Sequence, residues 1–250
     1  MESGCPALLG FELETSVLSA GYPGRHIIPV IGHTLNEDAW VPDAQRIYFG
    51  HDKGYFPSEN WLSSYVIHDD NCGPYYCLPR NYLKKENLRL LLGLCRCKSQ
   101  VTAVEAEAIA FSIASSIASG IPSTGQHWYD RFAVFGRCGL LVLRTLLVRK
   151  AEYLGHLHLV SDWEGNHLEP EIQLQINQLL PDWLWLTELS APELFSGSRR
   201  KFGDIILSTD SSDLLMARLP GLLILKSGKG YPIVRTKLQG HSSLFLFPAP

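Results

Sequence analysis

Apolar and polar positions change rhythm twice along this chain, and each change predicts an element. After the Gly4-Cys5-Pro6 punctuation, Ala7-Leu-Leu-Gly-Phe-Glu-Leu13 reads as a strand. Residues 26–31, His-Ile-Ile-Pro-Val-Ile, are nearly continuously apolar, the pattern of a strand covered on both faces. Pro29 lacks a backbone donor, so that strand is expected at an edge or with a bulge. Residues 36–60 are polar, aromatic and rich in turn formers, and predict a long surface excursion of the functional or flexible kind. Residues 61–67 and 75–78 give two more strands, joined by a turn through Asn71-Cys-Gly-Pro74.

Near residue 100 the period lengthens from two to between three and four. Thr102-x-x-Glu105 is a capping box, and Ile109, Ile113 and Ile117 recur at four-residue spacing beside Val104, Ala108 and Phe111. Gly120 and Pro122 end that helix. Residues 140–148 then predict a strand, and 169–180 a second helix closed by Pro181. Short apolar runs at 183–189, 204–207, 214–219, 222–225 and 244–247 alternate with turn residues, which predicts an antiparallel sheet or small barrel. The stretch from Glu188 to Lys201 reads mainly as a loop between strands. The fold class is α+β, with two units expected: 1–95, built on an antiparallel sheet, and 96–250, a helix followed by an α+β domain with short antiparallel strands.

Composition narrows the function. With 250 residues, 46% apolar and 19% charged, the chain is globular rather than disordered. A net charge of −3 gives no electrostatic basis for nucleic-acid binding. The densest basic cluster, Ser198-Arg-Arg-Lys201, reads as a solvated turn. No apolar run reaches the roughly 18–20 residues of a membrane span, and the first residues do not resemble a secretory signal. A cytoplasmic location follows as an expectation, with Cys5, Cys72, Cys77, Cys95, Cys97 and Cys138 as reduced, mostly buried thiols. Neither Cys95/Cys97 nor Cys72/Cys77 has zinc-ligand spacing. His156 and His158, with Asp162 and His167, fit no common metal site either. No metal and no cofactor are therefore expected.

The residues that could carry chemistry lie in the first third. His26 opens one apolar strand and Asp69 closes another; if the strands are antiparallel neighbours, the carboxylate reaches the imidazole. The same spacing also fits a histidine bonded to backbone and an aspartate capping a turn. His68 should point away from Asp69 on a regular strand.

The wording of these segments goes further. His26-x5-Gly32, followed by a strand ending Ile67-His68-Asp69 with Gly73 four residues on, resembles the second half of a papain-like peptidase domain. It is most like the peptidase domains of bacteriocin-processing transporters, which cleave after a double glycine, and their transporter-free relatives. Their pattern is a His-led strand, H-x-V-V-V-x-G, then a strand ending Asp-Pro with a glycine soon after. The resemblance implies that His26 is the catalytic histidine and Asp69 its orienting aspartate, and that residues 4–10 form the preceding strand. It covers about residues 3–80. Two departures are Asp70 in place of the proline and a much longer insertion between the strands.

In that family the nucleophilic cysteine lies in an N-terminal helix, in a Gln…Cys-Gly context that also builds the oxyanion hole. This sequence has no such segment, and Cys5 falls where the resemblance expects an ordinary strand residue. The expectation is the His/Asp-bearing half of a papain-like cysteine peptidase or amidase, inert as this chain, with the thiol supplied by an upstream segment or a partner chain. Its partner would be a peptide or protein, with neither nucleic acid nor membrane involved. One alternative is a non-catalytic interaction module binding through residues 36–60. Another is a permuted thiol hydrolase using Cys138, beside Arg137, although a strand following Cys138 favours a buried structural cysteine.

Overall fold

The computed structural model describes residues 7–13, 24–38, 40–41, 43–49, 53–70, 73–83, 86, 88–93, 97–122, 126–159, 167–235 and 242–245. Two units emerge, one made of residues 1–36 and 61–98, the other of 37–60 and 99–250. The class is α+β: among the described residues there are five helices, and strands exceed helix in content.

The first unit is a five-stranded antiparallel sheet. Its strands are β1 (Ala7–Leu13), β2 (Gly24–Leu35), β5 (Leu62–Asp69), β6 (Gly73–Pro79) and β7 (Leu88–Gly93), in the order β6-β5-β2-β1-β7. β2 is central rather than at an edge, and Pro29 is accommodated opposite Leu8. The ladder to β5 is irregular between Val30 and Gly32, so a bulge falls immediately beyond the proline. Alternate side chains of the sheet build the core of Leu9, Phe11, Ile28, Val30, Ile67 and Leu78. The opposite side chains of β2 and β7, among them Ile27, Ile31, Leu90 and Leu92, are exposed. Period-two alternation is therefore present along residues 27–31 of β2 although all five are apolar, whereas β7 is exposed at Leu90, Leu91 and Leu92 alike.

The excursion between β2 and β5 is tied at its base, where the Asn36 amide donates to the Trp61 carbonyl at 2.6 Å. Sequence patterning read it as a surface loop of the first unit. Instead it carries β3 (Ile47–Phe49) and β4 (Lys53–Pro57) and belongs to the second unit. The reason is Tyr55 and Phe56: Tyr55 is buried, and Phe56 and Pro57 pair in parallel with Val142 and Leu143 of β8 (Val142–Arg149).

That pairing makes β4 part of an eight-stranded sheet of order β14-β13-β12-β11-β9-β8-β4-β3. The further strands are β9 (Trp183–Ser190), β11 (Gly203–Ser208), β12 (Leu214–Leu219), β13 (Leu222–Leu225) and β14 (Ile233–Arg235). Two short strands, β10 (Arg200–Lys201) and β15 (Ser242–Ser243), pair with each other. Helix α1 (Ala103–Gly120) starts at the expected capping box: Thr102 accepts from the Glu105 amide, and the Glu105 carboxylate accepts from the Thr102 amide. Its small-residue stripe, Ala106, Ala110 and Ala114, is fully buried.

Helix α4 (Pro170–Leu179) also lies where the pattern put it. Three helices were not anticipated: α2 (His127–Cys138), α3 (Lys150–His158) and α5 (Pro192–Ser198). α3 and α5 are short and interrupted by glycine, so their apolar period is weak, whereas α2 does bury a helical face of Tyr129, Phe132, Ala133 and Gly136 that the sequence reading missed. The stretch Glu188 to Lys201 is thus the end of β9, α5 and β10 rather than a loop, and Lys201 is wholly buried rather than part of a solvated turn.

Candidate active site

His26 and Asp69 come together. β1 and β2 pair with Phe11 opposite His26, and the Phe11 ring meets the imidazole edge-on at 5.8 Å and 83°. On the other side of β2, Val30 pairs with Ile67 of β5. Continuing that register sets Asp69 opposite Ile28, diagonal to His26 and within reach of a long side chain. The imidazole Nε2 lies 3.1 Å from Asp69 Oδ2. The aspartate is almost completely buried, and its strand alternates as expected: Ile67 and Asp69 are buried while His68 is exposed.

This geometry fixes the tautomer. With Nε2–H donating to the carboxylate, Nδ1 keeps its lone pair and is the nitrogen free to accept a proton. A base oriented by a buried carboxylate is the arrangement that nucleophilic catalysis by a thiol or hydroxyl requires.

One residue that the sequence reading named only as a departure from the family pattern joins the pair. Asp70 Oδ1 lies 3.5 Å from the same Nε2, and unlike Asp69 it is exposed (82% against 10% for the side chains). The one signal that could have flagged it is its position next to Asp69, where the resembled family has proline. The three donor atoms of His26, Asp69 and Asp70 all lie within 4.8 Å of one another, a set able to hold a cation. Sequence spacing gave no hint of this set, because strand pairing rather than a local motif assembles it.

Cys77 of the first unit does not complete the constellation. Cys77 on β6 is opposite Val66 and projects from the sheet face away from Ile67 and Asp69. Cys138 belongs to the second unit and is exposed, not the buried structural residue anticipated. It is the last residue of α2, followed by Gly139 in the left-handed region at φ 66°. That is the carbonyl end of the helix, whereas thiolates are stabilised at the amide end. Arg137 is turned away to donate to the Ala118 carbonyl at 3.0 Å. Cys5, Cys72, Cys95, His51 and Asp162 lie outside the described residues.

The second unit holds two polar clusters that sequence reading did not anticipate. On one sheet face Arg144, Glu188, Asp204 and Arg218 occupy opposed positions on β8, β9, β11 and β12, all buried. Lys201 joins the two acids. Burial alone would raise the Asp204 carboxyl, but Arg218 and then Lys201 outweigh it and hold it down at about 2. Nearby His156 is held neutral to about pH 4, first by burial and then by Lys201. The histidine once considered as a metal ligand with His158 is thus a buried neighbour of this network.

On the opposite face, Thr145 and Thr187 share a hydrogen bond of 3.0 Å. Glu107 of α1 bonds to Thr145 and to Tyr55, and burial, outweighing these bonds, raises its carboxyl to about 7.

No helix among the described residues is long and apolar enough to cross a membrane. Comparison of the chain with protein-family models, with curated proteins and with solved structures finds no match.

Proposed function

We propose that the first unit is the base-bearing half of a papain-like cysteine peptidase or amidase site. His26 would serve as general base and acid, Asp69 would hold its tautomer, and a thiol from outside the described residues would be the nucleophile. The observation that carries this reading is the 3.1 Å bond from His26 Nε2 to Asp69, which leaves Nδ1 available for a thiol proton. The Phe11 edge contact supports it by limiting rotation of the imidazole. The substrate would be a peptide or protein amide. A reducing, cytoplasmic setting belongs to the same reading.

The mechanism balances simply. The thiol gives its proton to Nδ1 and attacks the amide carbon. The imidazolium then protonates the departing amine, and water, deprotonated by the same nitrogen, releases the acid and restores the thiol. In each step Asp69 stabilises the imidazolium without taking a proton.

The test begins with the genomic DNA on the 5′ side of this coding region. An in-frame Cys-Gly is expected within about a hundred codons, no more than the length of an ordinary domain. The longer protein should hydrolyse peptide amides, and His26→Ala should lower kcat/KM by about 10²–10⁴-fold. Absence of the upstream thiol would reject an upstream nucleophile, and activity indifferent to His26 would reject the proposal.

A second reading, a non-catalytic binding module, is supported by the exposed aromatic side chains Trp40 (73%) and Tyr48 (61%) in the 37–60 excursion. It expects partner binding that is unaffected by His26→Ala and lost in Trp40→Ala.

A further inference from the structure

The pair His26–Asp69 needs one carboxylate, yet two converge on the same imidazole nitrogen. We infer that His26, Asp69 and Asp70 form a binding site for a divalent transition-metal ion of the zinc class. The donor separations carry the inference. Nε2 is 3.1 Å from Asp69 Oδ2 and 3.5 Å from Asp70 Oδ1. Around an ion with metal–donor distances of about 2.0–2.2 Å, tetrahedral ligands sit about 3.3–3.6 Å apart; the 3.5 Å separation falls in that range, the 3.1 Å one lies slightly below it, and all three donor atoms lie within 4.8 Å of one another. One nitrogen and two carboxylate oxygens suit zinc or cobalt better than calcium or magnesium, which select oxygen donors alone.

The burial of the three residues suits an exchangeable ion. Asp69 is held at the end of β5 as a fixed inner ligand, while Asp70, 82% exposed, forms the open side through which an ion and its remaining waters enter.

Occupancy would regulate the site, a consequence that rests on the reading of His26 as general base. An ion on Nε2 withdraws electron density from the ring, displaces the Nε2–H···Asp69 bond and weakens Nδ1 as a proton acceptor. Metal binding would therefore be inhibitory, with Asp70, the residue that replaces the family's proline, as its distinguishing ligand.

The experiment titrates Co²⁺ into the chain as it stands and follows the visible d–d bands of the ion, with Zn²⁺ as competitor. Expected are one equivalent bound, tetrahedral-type absorption and displacement by Zn²⁺. Asp70→Asn changes an exposed residue and should leave the fold intact. Since outer-shell partners alone are worth roughly 10–100-fold in affinity, loss of this ligand should weaken binding by more than about tenfold. His26→Gln should abolish the absorption. Absence of the bands, or equal binding by the Asp70→Asn variant, would overturn the inference. No hydrolysis is measured, so that failure would leave the peptidase reading untouched; an upstream thiol that proves absent would leave the metal site standing.

Discussion

Glu188 and Asp204 face each other directly across β9 and β11, two carboxylates in opposed positions of a fully buried sheet face. Like charges so placed repel, and the repulsion is relieved by three cations, of which Lys201 alone bridges the pair. Lys201 Nζ lies 2.6 Å from Glu188 Oε1 and 3.1 Å from Asp204 Oδ2. Arg144 at 2.8 Å and Arg218 at 2.6 Å close the row from its two ends. The Phe245 amide also donates to Glu188 at 2.7 Å, so the row anchors the end of the described chain.

Lys201→Met should therefore be strongly destabilising. It keeps volume and removes the bridging cation, leaving the two facing buried carboxylates with one arginine each and nothing between them. Breaking a buried ion pair this way costs about 3–5 kcal/mol. Equilibrium urea unfolding measures it, and a change under about 1 kcal/mol would show that the row does not depend on its central cation.

That row also shows what a sequence hides. Lys201 sits in an Arg-Arg-Lys cluster that looks solvated, because nothing local shows that β10 turns the third cation under the sheet. His26 and Asp69 were legible because each ends an apolar run, so their strands declare themselves and antiparallel pairing does the rest. Asp70 as a second neighbour of the imidazole was not legible; it depends on how the chain leaves β5. α1 declared itself through its capping box, whereas α3 and α5 are too short to set up a clear period; α2 lacks a side-chain cap at Gln126, although its Tyr129, Phe132, Ala133 and Gly136 do recur at helical spacing. The excursion at 37–60 misled for another reason. Turn-rich composition marks a departure from one sheet but cannot say that β4 joins another.

Gly203 should tolerate no side chain. A Cβ built there would lie 1.9 Å from the Arg218 carbonyl oxygen and 2.9 Å from its carbon, so backbone rather than a yielding side chain blocks it. β11 and β12 come this close beside the Asp204–Arg218 pair. Gly203→Ala is expected to cost about 3 kcal/mol, the upper part of the overpacking range, by prising the strands apart. Hydrogen exchange should show lost protection in β11 and β12 before β8; uniform protection with unchanged stability would contradict the close approach.

The tautomer of His26 can be read directly. Long-range ¹H–¹⁵N correlation at neutral pH should report a protonated Nε2 and a bare Nδ1 in the wild-type chain. Asp69→Ala removes the acceptor at 3.1 Å and should let the two tautomers mix. A wild-type ring already mixed would mean that the carboxylate does not orient it.

Cys138 should prove a poor nucleophile despite its exposure. It sits at the carbonyl end of α2 with Arg137 engaged elsewhere. A peptide-amide electrophile that labels catalytic thiols within minutes at pH 7 should label Cys138 no faster than Cys77, the other exposed thiol of the described residues. Preferential labelling of Cys138 would revive the permuted hydrolase.

Stability should depend on pH through two buried groups of opposite sign. His156 has its folded pKa depressed to about 4 from an ordinary 6.5, so between those values the unfolded chain holds a proton that the folded chain refuses. Stability from this residue is present above about pH 6.5 and lost as pH falls toward 4. Glu107 has its carboxyl raised to about 7 from 4.5, so the folded chain holds a proton that the unfolded chain has released. Its contribution is present below about pH 4.5 and lost as pH rises through 7. Between about pH 4.5 and 6.5 the two slopes oppose each other, and the wild-type profile from these groups should be nearly flat. Each single variant should unmask the other group. Glu107→Gln should show stability rising from pH 4.5 to 6.5, and His156→Gln should show it falling over the same interval, by as much as about 1.4 kcal/mol per pH unit. Urea unfolding of both variants at half-unit pH steps measures the slopes. Parallel profiles for the two variants would mean that neither group titrates from within the fold.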